Sequence, residues 1–196
     1  VTGDLGGQYL PYFAHYSRSW TQSMTYGLDK GLGGNLIGLF AYYVSSPLNL
    51  VYLFADPASY SALAGGVLAA KLIAAAVSFC FYLNRKFSGL GGFSVPLALC
   101  YGFMAYNLIY AQNIMWLDGV ILLPLVLWQV DKLVFRHSMV PLILLLALLI
   151  LANFYVGYMI CLFSALYLCW LLAQQKTPGK DWMQALGRLL CGAVAA

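Results

Sequence analysis

From Met139 to Ala173 the chain runs through apolar sequence without one charged residue. At 1.5 Å per residue that run would make a helix of about 52 Å, against a hydrocarbon core of about 30 Å. It must therefore break. The residues suited to a tight turn are Asn153-Phe154-Tyr155-Val156-Gly157, which gives two helices, over 139–152 and 156–173. In lipid a backbone has no water to bond with, so spanning segments must be helical or closed barrels. The expected fold is all-α, a polytopic transmembrane helical bundle. Composition agrees: hydrophobic residues are 63%, charged residues 8% and mean hydropathy is +0.82, far from soluble averages.

Further spans are expected over 62–83, 93–110 and 117–135, with another beginning at 187–196. The chain opens at Val1 with no signal-like region and ends in the apolar Cys191–Ala196, so it reads as an internal piece of a longer protein. The net charge of +4 does not point to nucleic acid, because basic residues in a membrane protein report topology. Arg85/Lys86, Lys132/Arg136 and Lys176/Lys180 occupy alternate loops, whereas the turns at 111–116 and 153–157 hold no Lys or Arg. The basic loops are therefore expected on the cytoplasmic side, and residues 1–61 outside, in a bacterial cytoplasmic membrane. That placement requires Leu36–Ala55 not to cross. Ser45-Ser46-Pro47-Leu48-Asn49 interrupts it, and backbone groups freed by Pro47 would go unsatisfied in lipid. Two short interfacial helices, anchored by Tyr42, Tyr43 and Tyr52, are the expected form.

The acidic residues number six and all are Asp, so each is a candidate for chemistry. The outer face collects Asp4, Gln8, His15, Arg18, Asp29, Lys30, Asn35, Asp56 and Asn113, with Asp118 at the outer start of a span. A carboxylate at a membrane surface can act as a general base toward a hydroxyl or hold a divalent cation. Asp4 is the best placed, since the glycines around it admit close approach; a solvated loop carboxylate is the alternative. Asp118 reads equally as a helix N-cap or a functional residue. Lys71 falls near the middle of a span, where an unpaired charge costs about 3 kcal/mol on insertion scales. It needs either a structural ion partner inside the bundle or a phosphate reached through a cavity. Neither the cysteines nor His15 and His137 show metal-ligand spacing. No metal site, Walker loop, nucleophile elbow or HExxH motif is present.

The order of motifs resembles the YfhO-type family of bacterial membrane proteins. Asp4-x-x-x-Gln8-Tyr9-x-Pro11 is followed by Gly31-Leu32-Gly33-Gly34-Asn35, Tyr42–Leu50, Lys71 and Tyr101-Gly102-Phe103. Trp116-Leu117-Asp118, Leu123-Pro124-Leu125 and Asn153–Tyr158 complete the series. That family is similar to glycosyltransferases of the GT-C architecture. Those enzymes take a sugar from a polyprenyl-phosphate carrier, a lipid-linked donor, to an extracytoplasmic cell-envelope acceptor; the family link suggests lipoteichoic acid. The resemblance implies a catalytic role for Asp4, a substrate-binding role for Gln8, Lys71 and Asp118, and membrane lipids as neighbours. It lets Lys71 offset a lipid phosphate. GT-C loops often pair two acidic residues, whereas Asp4 has Leu5 and Gly6 beside it, so the need for a divalent cation stays open. The competing readings are a transporter or flippase with Lys71 as its substrate site, and a non-catalytic scaffold.

Overall fold

The computed structural model describes residues 3–19, 26–27, 33–136, 139–174 and 179–196. Asp29, Lys30, Gly31, Leu32, His137 and Lys176 lie outside the described residues, so the comparison of loop charges rests on sequence alone. The described chain is an all-α helical bundle. Its single two-stranded ladder, among the described residues, pairs β1 (Tyr26–Gly27) with β2 (Gly34–Asn35) antiparallel.

The N-terminal part packs as an aromatic cap. A π-helical turn, Leu5–Tyr9, leads into α1 (Leu10–Ser19). Leu36–Ala55 is not one helix. It comprises α2 (Leu36–Leu39), a π-helical turn at Phe40–Val44 and, beyond the Ser45–Leu48 turn, a 3-10 segment at Asn49–Phe54. Asn35 starts α2 by accepting hydrogen bonds from the Ile37 and Gly38 amides, the usual service of an N-cap. Phe13 stacks on Tyr52 with centroids 4.2 Å apart, and the Tyr60 hydroxyl donates to the Tyr52 carbonyl at 2.8 Å. Tyr9, Phe13, Tyr16, Tyr52 and Tyr60 are all buried together. This cluster also takes in Ala64, Val67, Ile114 and Met115, which seats the cap on the bundle.

Helix α3 (Tyr60–Lys86) begins behind an Asp56-capped turn, where the Asp56 carboxylate accepts from the Ala58 amide at 3.0 Å. Its buried residues Tyr60, Ala64, Val67, Lys71, Ala75, Ser78 and Tyr82 recur at helical spacing and face the bundle. The next apolar segment, read from sequence as one helix over 93–110, is two: α4 (Ser94–Gly102) and α5 (Ala105–Ile109). The reason lies in Asn107 and Gly102. The buried Asn107 amide donates to the Tyr101 and Gly102 carbonyls at 3.0 and 2.9 Å, supplying bonds that the helix itself drops at the break. A Cβ at Gly102 would lie 3.1 Å from the Leu72 carbonyl, so glycine lets α4 approach α3 closely.

Helix α6 (Leu117–Arg136) carries Pro124 inside it. Proline lacks an amide, so the Val120 carbonyl four residues earlier loses its helical donor. The Tyr101 hydroxyl replaces it, donating to the Val120 oxygen at 2.8 Å. In a low-dielectric interior such substitution is what makes a proline tolerable.

Helices α7 (Val140–Ala152) and α8 (Phe154–Gln174) flank Asn153, whose side chain accepts from the Val156 amide at 3.0 Å. Helix α9 (Gly179–Ala195) starts earlier than the 187–196 expected from apolar content. Trp182, Ala185, Leu186 and Leu189 form a helical stripe toward the core, and that amphipathic face extends the helix beyond its apolar run. The core here joins Val126, Val130 and Leu133 of α6 to Leu142, Leu146 and Leu149 of α7 and Leu168 and Leu172 of α8.

Three described segments, Pro57–Lys86, Gly91–Ile109 and Phe154–Gln174, are long and apolar enough to cross a membrane, and Val140–Ala152 is a shorter apolar helix. Their outward residues are large and apolar, among them Ile73, Val77, Leu99, Leu144 and Leu166. Hydrocarbon accepts such a surface where water would not.

Candidate functional site

The sequence candidates fall into two groups, one at the surface and one buried. Asp4 and Gln8 are both exposed, one helical turn apart at the entry to α1. The Tyr43 hydroxyl donates to Gln8 Oε1 at 3.0 Å. Tyr12 stacks on Tyr43 with centroids 4.8 Å apart, and Tyr42 meets Tyr43 edge-on at the same distance. Phe154 then lies 5.8 Å from Tyr42, so aromatic rings extend from Gln8 to the start of α8. Tyr9 is buried beneath, edge-on to Tyr43 at 5.0 Å. Burial, with Tyr42, Tyr43 and the Asp4 charge adding, pushes the Tyr9 hydroxyl above its ordinary 10.0. Burial raises Tyr43 likewise, so both phenols stay neutral donors at physiological pH.

Of the four aspartates whose side chains are described, Asp4, Asp56, Asp118 and Asp131, three are engaged. Asp118 and Asp131 bind lysines and Asp56 caps a turn. Asp4 makes no capping bond to its own turn; it stands in the open with Gly7, beside which there is empty space, on the same turn. Gly3, just before it, adopts a positive φ of 64° and abuts the Gln112 side chain, leaving no room for a Cβ. The Asp4 turn is thus held against the loop that precedes α6.

Lys71 is fully buried in the middle of α3. Its ammonium donates to Asp118 Oδ2 at 2.7 Å, the Ile114 carbonyl at 2.9 Å and Ser46 Oγ at 3.2 Å. An ammonium has three donors, and all are engaged. Ser46 in turn faces the Asp118 carboxylate. Of the two readings for Lys71, the structure presents the ion pair, and no donor is left over for a phosphate. Asp118, in the first turn of α6, is buried with it.

The two groups are tied together by two short stretches of chain. Tyr43, which binds Gln8, lies just ahead of Ser46, which binds Lys71, and the Asn49 amide donates to the Tyr43 carbonyl at 3.2 Å. Gln112, which meets Gly3, lies just ahead of Ile114, whose carbonyl Lys71 holds. The buried pair therefore anchors both loops that flank Asp4 and Gln8.

A second ion pair lies at the other end of the same helices. Lys86 Nζ is 3.0 Å from Asp131 Oδ1, and Tyr167 of α8 donates to that oxygen at 2.8 Å. Tyr82 and Tyr167 share a hydrogen bond at 3.0 Å, and Lys86 also contacts the Tyr167 hydroxyl. Both pairs advance in the same sense along α3 and α6, so the helices run parallel. At 1.5 Å per helical residue, the pairs are separated by about 20 Å along each helix.

The family model for the bacterial membrane protein YfhO matches residues 1–196. The chain belongs to the YfhO family. The resemblance carried by the ordered motifs thus holds over the full length. Neither the comparison with curated proteins nor that with solved structures gave a match. Placed on the structure, the YfhO motifs mark hydrogen-bonded junctions: Tyr101 and Pro124 answer each other, Asn153 caps α8, and Lys71 meets Asp118. Sequence reasoning held Asp131 only as one of six candidate aspartates, and did not single out Tyr167, Ser46 or Gln112 as site residues. Asp131 carried one signal, an acidic residue amid basic loop residues. Ser46 and Gln112 act only through tertiary contacts, which no local pattern reveals. Among the described residues, no set of three His, Cys, Asp or Glu side chains gathers as metal ligands.

Proposed function

We propose that this YfhO-family chain is the catalytic portion of a GT-C-like membrane glycosyltransferase. It moves a sugar from a polyprenyl-phosphate carrier to a cell-envelope acceptor outside the cytoplasm, with lipoteichoic acid a candidate acceptor. The single observation that supports this most is the state of Asp4. It is an exposed carboxylate with no hydrogen-bond or ion partner among the described residues, where Asp56, Asp118 and Asp131 are engaged.

In this reading Asp4 takes the proton from an acceptor hydroxyl as its oxygen attacks the anomeric carbon. The bond to the carrier phosphate breaks, and the phosphate leaves with the electron pair without needing much protonation. Gln8, with its amide fixed by Tyr43, offers hydrogen bonds to sugar or acceptor hydroxyls. The neighbouring rings of Tyr12, Tyr42 and Phe154 suit stacking against a sugar face. Lys71 and Asp118 act as positioning residues, holding the Tyr43–Ser46 and Gln112–Ile114 segments. The transporter reading would need Lys71 to give up at least one of its three acceptors for substrate, which weighs against it.

The test is direct transfer. Right-side-out vesicles containing the full-length protein are supplied with a polyprenyl-phosphate-linked radiolabelled sugar. Label entering envelope material only when the protein is present supports the reading; label that stays on the carrier, or crosses the vesicle membrane untransferred, contradicts it.

A further inference from the structure

Near the Lys86 end of the bundle, α3 and α6 each carry an aromatic residue one turn before a cation: Phe81 with Arg85, and Trp128 with Lys132. Because the helices run parallel, these two pairs lie side by side. Phe81 meets Trp128 edge-on at 4.8 Å. The Arg85 guanidinium lies 5.2 Å from the Phe81 centroid and 6.0 Å from that of Trp128. Lys132 Nζ lies 3.5 Å from the same Trp128 centroid. Two cations therefore share one indole. Lys86 beside them is committed to Asp131, and among the described residues neither Arg85 nor Lys132 has a carboxylate partner.

What lies above this cluster along α3 is apolar and open. Ile73 and Val77 are each 62% exposed and precede Phe81 and Arg85 at four-residue spacing, on one helix face. They also line an apolar groove of about 300 Å³ between α3 and α4, completed by Cys80, Val95, Leu99 and Phe103. An apolar channel on a bilayer-facing surface, leading to paired cations over aromatic rings, matches an amphiphile with an anionic head and a hydrocarbon tail. The rings shield one side of each cation and leave the other for an anion.

We propose that this α3–α4–α6 surface binds an anionic phospholipid, its headgroup phosphate on Arg85 and Lys132 and an acyl chain along Ile73 and Val77. The site stands apart from Asp4 and does not depend on the transferase reading. Free phosphate satisfies the cations but not the groove, and a zwitterionic lipid satisfies the groove but not the cations.

The experiment uses full-length protein in mild detergent, with binding followed by native mass spectrometry and by tryptophan quenching with chain-brominated lipids. Dioleoylphosphatidylglycerol should bind at least tenfold tighter than dioleoylphosphatidylcholine. Arg85→Gln and Lys132→Gln should each weaken it about fivefold, and Val77→Trp, which fills the groove, should weaken it with the charges intact. Arg18→Gln, on the exposed end of α1, should bind as the wild type does. Equal binding of the two lipids to wild-type protein would overturn the proposal, and that comparison needs no variant to fold. So would unchanged binding in the Arg85/Lys132 double variant, or inorganic phosphate competing as well as the lipid.

Discussion

The Lys71 ammonium lies 2.7 Å from the Asp118 carboxylate, with neither residue open to solvent or lipid. Burying two charges is expensive unless each is fully hydrogen-bonded, and removing one partner strands the other. Replacing Lys71 with Met, or Asp118 with Leu, should each cost about 3–5 kcal/mol of stability. The Lys71→Met/Asp118→Leu double variant should lose markedly less than the sum. Thermal unfolding in detergent across this double-mutant cycle measures the coupling, and additive losses would mean that the residues do not act as a pair.

Tyr101 and Pro124 make a second cycle. Tyr101→Phe leaves the Val120 carbonyl without a donor and should cost about 1–3 kcal/mol. Pro124→Ala restores an amide able to bond that carbonyl, so Tyr101→Phe should become nearly neutral in that background. An equal penalty with and without Pro124 would show that the hydroxyl serves some other contact.

These junctions divide what the sequence reveals from what it hides. The hairpin around Asn153 was readable because the apolar run is too long for one crossing, a constraint of length alone. The interruption of Leu36–Ala55 was readable from Pro47 and its polar neighbours. Lys71 announced a need for a partner, yet nothing local identified Asp118, because that contact depends on how two distant helices pack. The break between α4 and α5 escaped for the same reason: Asn107 looks like any polar residue until its bonds to Tyr101 and Gly102 are seen. The early start of α9 escaped because its first turns are amphipathic rather than apolar. Of the Asp4–Gln8 segment, exposure was legible from its polar, Gly-rich composition; its helical turn and the loops that hold it were not.

Gly102 sits where α4 crosses α3, and a methyl group there would press on the Leu72 carbonyl and Ala76. Gly102→Ala should cost about 1–3 kcal/mol by overpacking. Gly65→Ala in α3, where a Cβ meets nothing, should be neutral or slightly stabilising. Unfolding midpoints of the two variants give the comparison, and equal midpoints would mean the helices can separate without penalty.

Sidedness can be read with single cysteines in a variant lacking the native ones. Gly7→Cys, next to open space, should react with a membrane-impermeant maleimide in intact cells. Ser88→Cys, exposed just beyond α3, should react only after the membrane is opened. The reverse pattern would move Asp4 to the cytoplasm and remove it from an external acceptor.

Tyr43→Phe removes the hydroxyl that fixes Gln8 but leaves Asp4 in place. Transfer should fall mainly through a raised KM for acceptor, by about tenfold for one hydrogen bond, with kcat less affected. A collapse of kcat alone would assign the phenol to the chemical step itself.

The most direct measurement is transfer by Asp4→Asn. The substitution keeps size and exposure and removes the base, and since Asp4 makes no capping bond within its own turn, folding should be unchanged. With wild-type expression and unfolding midpoint confirmed, label transfer from the polyprenyl-phosphate donor should drop by at least about a hundredfold, the low end for a general base. Transfer at the wild-type rate by a normally folded Asp4→Asn protein would contradict the account.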